Sequence, residues 1–232
     1  MIPLIVIRPQ PGCEATVAAA RELHLDAHNF PLFIVRPLAW EAPPRGSFDA
    51  LLIGSANALR HGGEALAGWR GTPAYSVGET TAEAARAAGL DVVRTGEGGL
   101  QALLGTVEPE HRRLLRLAGH ERVPLDPPPG VIISERVVYA SEAQSMPVEL
   151  AGMLKNPCVV LLHSAEAARH FAGLCGVHAI PRRRIALAAL GPRIAAAAGP
   201  GWAAVTAAAA PDDHALLELA REMCQTHGGR QP

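Results

Sequence analysis

The chain has 232 residues, 49% of them hydrophobic and 4% aromatic, and its 21 basic and 22 acidic side chains give a formal net charge of −1. That length exceeds the roughly 150 residues usual for one domain, so two modest domains with aliphatic, alanine-rich cores are expected. The near-neutral balance excludes a global basic field for nucleic acid or for an anionic membrane surface, so any anion site has to be built locally.

Short apolar runs alternate with helical patterns along the chain. LIVI at 4–7 reads as a strand and precedes a helix at about 12–24. LFIV at 32–35 is extended and leads into the Pro-rich, linker-like PLAWEAPPRG. ALLIG at 50–54 precedes a helix over 55–68, and AYSV at 74–77 precedes one over about 80–89. DVVR at 91–94 is followed by GEGG and a short helix, and RLLRLAG at 113–119 is another strand. LDPPPG at 125–130 excludes a helix, because proline removes donors and restricts its predecessor. VIISERVVYA at 131–140 is β-branched and extended. The pattern then resumes with a helix at 146–154, strand 158–163, helix 164–175, strand 185–189, helix 192–198, strand 203–206 and helix 211–224.

Wholly apolar strands alternating with helices predict an α/β fold with parallel sheets covered on both faces. The four cysteines form no C-x-x-C pair and read as isolated thiols of a reducing compartment. The opening MIPLIVIRPQPG carries too short an apolar run for a signal peptide, and no run approaches a membrane span. A cytoplasmic protein is expected.

The chain also repeats at long range. LLIGSANALRH at 51–61 matches LLHSAEAARHF at 161–171, SVGETTAEAARAAG matches ALGPRIAAAAG, and GEGGLQALL matches APDDHALLEL. Strand 4–7 corresponds to strand 113–117. A period this long indicates duplicated domains rather than a solenoid.

In parallel sheets ligands bind beyond the carboxyl ends of the strands. The residues just past those ends are Arg8; Ser55, Ala56 and Asn57; Gly78, Glu79, Thr80 and Thr81; Gly119, His120 and Arg122; Ser164; and Gly191, Pro192 and Arg193. Helix amino ends with small or hydroxyl residues suit carboxylates or phosphates. Singly, each has an ordinary structural meaning: Ser55 and Ser164 as N-caps, and Thr80 with Glu83 as a capping box. No phosphate-binding loop, dinucleotide fingerprint, zinc motif or G-x-S-x-G elbow is present. His163 and Ser164 are adjacent on a strand and point to opposite faces, so they do not form a dyad. His61 and His170 read as solvated or packing residues. PRRR at 181–184 reads as an exposed strand entry that could also help hold an anion.

These blocks in order (VIRPQPG, FPLFIV, FDALLIGSANALRHG, AYSVGETTAEAARAAGLDVV, LLRLAGHERVP, RVVYAS, VVLLHSAEAARHF and ALAALGPRIAAAA) resemble the uroporphyrinogen-III synthase family over nearly the whole chain. The resemblance implies two flavodoxin-like parallel-sheet domains joined by a two-stranded β linker. One domain would combine 1–32 with 145–232, the other would be 44–132, and the linkers would be 33–43 and 133–144. It implies a monomer without cofactor or metal. Such an enzyme cyclises hydroxymethylbilane, handed over from hydroxymethylbilane synthase, to uroporphyrinogen III with ring-D inversion and loss of water. Tyr139 matches the family's linker-strand tyrosine, the candidate for assisting hydroxide departure. Arg8, Ser55, Ala56, Gly78, Thr81, Gly119, Arg122, Ser164, Gly191 and Arg193 fall in matching substrate-lining blocks, with Ser55 and Ser164 expected to face each other across a cleft. Two departures stand out. Arg193 and Ile194 replace the threonine common after Gly-Pro, and LDPPPG replaces a helix after the glycine-arginine block. A non-catalytic anion-binding or regulatory module of the same fold is the alternative. An FMN electron carrier is disfavoured by the lack of a Ser/Thr-rich phosphate loop and of aromatic flavin contacts.

Overall fold

The computed structural model describes residues 2–228. In chain order the elements are β1 (Leu4–Val6), α1 (Gly12–Glu22), β2 (Ala27–Asn29), β3 (Phe33–Pro37), β4 (Ala50–Ile53), α2 (Ala56–Arg60), β5 (Pro73–Val77), α3 (Glu79–Ala87), β6 (Asp91–Gly96), α4 (Leu100–Leu104) and β7 (Arg113–Gly119). They continue with β8 (Ile132–Ala143), α5 (Val148–Met153), β9 (Cys158–Leu162), α6 (Ala165–Val177), β10 (Ile185–Ala189), α7 (Pro192–Ala197), β11 (Ala204–Ala207) and α8 (Asp213–Gly228). The chain divides into two compact units. One is formed by the chain up to Ile34 and from Glu142 onward, the other by Val35–Ser141.

The first unit holds a parallel sheet in the order β11-β10-β9-β1-β2. Its central strands β1, β9 and β10 are apolar and buried because helices cover both faces. Cys158, Val160 and Leu162 of β9 pack with Leu150, Phe171 and Ala198, whereas Val159 and Leu161 pack with Val17, Ala20, Leu216 and Ala220. In α1 the buried set is Cys13, Thr16, Val17 and Ala20, the i, i+3, i+4, i+7 stripe that one helical face requires. Phe171 stacks on Trp202 at 5.5 Å, and Arg182 lies 4.9 Å from the Trp202 ring centre.

The second unit carries the sheet β3-β8-β7-β4-β5-β6, and each of its described pairings from β8 to β6 is parallel. The stretch β8-β7-β4-β5-β6 has the spatial order of β2-β1-β9-β10-β11 in the first sheet. The repeat read from sequence therefore reappears as topology, with β4 in the place of β9, β5 in that of β10 and β7 in that of β1. Both divisions between the units fall inside strands, β3 and β8, which are neighbours in the sheet.

Three expectations need correction. The apolar pattern gives no sign of β2, because Ala-His-Asn lacks an apolar signature and is extended through its pairing with β1. The helix expected over 55–68 stops at Arg60, and after Gly62-Gly63 the chain continues as a 3₁₀ turn over Glu64–Trp69. The Thr80–Glu83 capping box does not form, since the cap of α3 is Gly78 (φ +75°), two residues before Thr80. The β7–β8 crossover has no helix, as the prolines dictate. Leu125, Val131 and Ile133 pack it onto the sheet, and Gln101 and Asp126 exchange two hydrogen bonds of 2.9 Å.

Candidate active site

In the second unit the carboxyl ends of β7, β4 and β5 lie side by side. Past β4, Ser55 is extended and its Oγ accepts the Asn57 N–H at 3.2 Å, while Ala56 is buried. Past β5, Gly78 opens α3 and Thr81 is 5% exposed. At the end of β7, Gly119 pairs with Tyr139 of β8. The register shifts between Ala118 and Gly119, so that Ala118 pairs Val137 and Gly119 pairs Tyr139. Such irregularities re-aim a side chain. Val138 is buried in the core, and the Tyr139 ring lies directly over Gly119. A Cβ at Gly119 would stand 2.7 Å from Tyr139 Cζ and 2.9 Å from its Oη, so only glycine leaves the ring its place. The His120 N–H donates to the Tyr139 carbonyl at 2.8 Å, and the His61 ring lies 6.3 Å from the tyrosine ring. The half-buried His61 has its pKa lowered by burial and by neighbouring Arg60.

Arg122 is less free than its position suggested. Its Nε donates to Glu135 Oε2 at 2.8 Å and its Nη1 to the His120 carbonyl at 2.9 Å. Glu135 also accepts from Arg116 at 2.6 Å, and Arg116 is 5% exposed with its Nε lacking a partner. Burial raises the Glu135 pKa, but the two arginines outweigh it and the carboxyl lies below its ordinary value. Arg122 and Glu135 line a pocket of about 420 Å³ with Pro124, Leu125, Pro127 and Ile133.

In the first unit the corresponding ends belong to β10, β9 and β1. Ser164 is exposed and its Oγ accepts the Ala167 N–H at 3.0 Å. Gly191 is extended at the start of α7, and Arg193 is exposed. Arg8 is engaged: its Nη1 donates to Asp213 Oδ2 at 2.7 Å and to Thr16 Oγ1 at 3.2 Å. Thr16 itself donates to Asp213 Oδ2 at 2.9 Å. His163 Nε2 stands 3.3 Å from Asp213 Oδ1, an electrostatic contact, and neither ring nitrogen of His163 has a hydrogen-bond partner. Burial lowers the His163 pKa against the pull of Asp213. Burial would raise Asp213, but His163 and Arg8 outweigh it and hold the carboxyl at about 2. The pair is therefore a neutral imidazole beside an ionised carboxylate.

Sequence reasoning missed Asp213 and Thr16, and it weighed His163 only as a partner of Ser164. Asp213 falls in the helix expected over 211–224, and its neighbour Asp212 accepts the Ala215 N–H at 2.8 Å at the start of α8. PRRR lies at the amino end of β10, opposite to the strand ends described above. Arg182 donates to the Ala172 carbonyl and Arg184 to that of Lys155, at the amino end of β10. His170 packs as expected, edge-on to Phe33, with its Nε2 2.8 Å from the Gln144 carbonyl. Among the described residues no cluster of His, Cys, Asp and Glu could hold a metal ion, and no helix is long and apolar enough to cross a membrane.

Parallel sheets with helices on both faces, and small, hydroxyl and arginine residues gathered at the strand ends, define an α/β protein of the class that binds ligands at those ends. The chain belongs to the uroporphyrinogen-III synthase family: the family model described as Uroporphyrinogen-III synthase HemD matches residues 14–218. In fold it is similar to the crystal structure of uroporphyrinogen-III synthetase from Helicobacter pylori 26695, at TM-score 0.64 and 17% identity over 96% of this chain and 100% of that one. It is also similar to a mutant uroporphyrinogen III synthase from the extremely thermophilic bacterium Thermus thermophilus, at TM-score 0.57 and 16% identity over 97% of this chain and 99% of that one. No curated protein is matched.

Proposed function

We propose that this protein is a uroporphyrinogen-III synthase, which closes hydroxymethylbilane to uroporphyrinogen III with inversion of ring D and loss of water. The observation that carries this reading is the family match over residues 14–218. Pyrrole nitrogen drives hydroxide off the bilane to give a delocalised azafulvene cation. The substituted carbon of ring D attacks it, and the spiro-pyrrolenine fragments and recloses in the inverted sense. The enzyme has to fold a flexible polyanion so that the spiro route outruns direct closure, which is catalysis by positioning.

Tyr139 is the proton donor to the departing hydroxide. Support comes from its place at the end of β7 over Gly119, and from a hydroxyl that makes no hydrogen bond to protein among the described residues. Ser55, Ala56, Gly78, Thr81, Gly119, Ser164 and Gly191 hold substrate carboxylates chiefly through main-chain N–H groups, since the serine hydroxyls cap their own helices and Thr81 is buried. Arg8 and Arg193 add charge on one unit. Arg122 acts only through whatever Glu135 leaves free.

The two units are read as flavodoxin-like domains, 1–32 with 145–232 and 44–132, joined by linker strands 33–43 and 133–144. The shared strand order supports this. The protein is read as a cytoplasmic monomer that needs no cofactor and takes its bilane from hydroxymethylbilane synthase. No observation favours a non-catalytic anion-binding module over the enzyme.

The test supplies hydroxymethylbilane enzymatically and resolves the oxidised products by chromatography. Isomer III in excess over the spontaneous isomer I is expected, and isomer I alone refutes the reading.

A further inference from the structure

The first unit places β1 and β9 side by side although β2 follows β1 in the chain, so the connections leave in opposite directions at this point. Such a switch point is where ligands of open parallel sheets bind. Arg8 follows β1 and His163 follows β9, and Asp213 of α8 reaches back to both. A carboxylate at a site meant for a polyanion calls for an explanation.

The geometry of Arg8 supplies one. Asp213 and Thr16 both engage its Nη1, at 2.7 and 3.2 Å. Its Nε and Nη2 make no hydrogen bond among the described residues, and the side chain remains 30% exposed. These two nitrogens form the edge of a guanidinium that takes a carboxylate with two parallel bonds. Gly12 makes room for it. A Cβ at Gly12 would come within 2.6 Å of Nε, 2.8 Å of Cζ and 2.9 Å of Nη2 and would displace the guanidinium. Asp213 is itself compensated, because one oxygen is shared by Arg8 and Thr16 and the other faces His163.

We propose that Asp213, with Thr16 and Gly12, positions Arg8 as a two-pronged seat for one carboxylate of the substrate. Asp213 and Thr16 are positioning residues, and the bonds to substrate come from Arg8 Nε and Nη2. A specific edge, rather than loose positive charge, anchors one acetate or propionate arm and so contributes to substrate affinity.

Three variants test this by steady-state kinetics with enzymatically supplied hydroxymethylbilane. Asp213→Asn frees Arg8, Gly12→Ala displaces its guanidinium sterically while leaving Asp213 and Thr16 in place, and Arg8→Lys keeps the charge but loses the second prong. Each is expected to raise KM by about ten- to a hundredfold, as loss of one charge-assisted pair implies, with kcat within about twofold and isomer III still formed. An unchanged or lower KM in Asp213→Asn, or wild-type KM in Gly12→Ala or in Arg8→Lys, overturns the seat. Near-ultraviolet circular dichroism identifies a variant that has lost its fold, and Gly12→Ala and Arg8→Lys then decide the matter. The seat rests on the cyclisation reading, and the two fail differently. Wild-type protein making isomer I alone removes the reading, whereas isomer III with an unmoved KM in the variants removes only the seat.

Discussion

Replacing Gly119 by alanine tests whether Tyr139 does the chemistry. Gly119 lies in a strand without a left-handed backbone, so alanine meets no conformational penalty and its methyl group is the whole perturbation. The added carbon would stand 2.7 Å from Cζ and 2.8 Å from Cε2 of Tyr139. Carbon atoms pack at about 3.5–4.0 Å, so the ring has to move by roughly 1 Å. A shift of that size at a reacting group costs up to about a hundredfold in rate, whereas overpacking beside a half-exposed ring should cost only about 1 kcal/mol in stability. The measurements are kcat with isomer ratio and, separately, a thermal melt. Gly119→Ala is expected to lose about ten- to a hundredfold in kcat with a small fall in Tm. Tyr139→Phe should lose at least as much, and Gly119→Ala in the Tyr139→Phe background should lose little more, because the two changes act through one hydroxyl. Wild-type kcat in Gly119→Ala, or a full additional loss in the double variant, would refute the assignment of Tyr139.

Two further predictions concern buried charge. His163 has a folded pKa below its unfolded value, so as pH falls the unfolded state takes up the proton first and stability is lost below about pH 6.5, with His61 contributing in the same sense. The groups facing His163 are Arg8, which opposes its protonation, and Asp213, which favours it. In His163→Asn the drop in Tm between about pH 7.5 and about pH 5 should shrink, and a slope equal to that of the wild type would contradict this. Asp213 adds a second loss only as pH falls from its unfolded value of 3.8 toward about 2. Glu135→Ala leaves Arg116, 5% exposed, without its carboxylate, and should destabilise the protein by about 3 kcal/mol in chemical denaturation. A loss below about 1 kcal/mol would mean that water replaces the carboxylate.

Local chemistry made most of the architecture legible. Short apolar runs such as LIVI and CVVLL, alternating with helical patterns, read as strands buried on both faces, and they are. The repeat announced two similar sheets. Ser55 and Ser164 were legible as corners, and they are N-caps, because a cap needs only its own next few residues. β2 was not legible, since Ala-His-Asn is extended by its neighbour and not by its own side chains.

The sequence by itself determined the strands, the helices, their alternation and the glycine, serine and tyrosine placed at the corners, because each depends on contacts within a turn or a strand. Tertiary structure alone decided what those residues can do. Arg8 and Asp213 are 205 positions apart and meet only because α8 returns to the ends of β1 and β9. Tyr139 comes to lie over Gly119 only because the β7–β8 register slips by one residue. Arg122 is held by a glutamate that the crossover brings beside it. Periodicity and propensity report a residue's own neighbourhood along the chain, and charge pairing and ring placement are set by neighbours across the sheet.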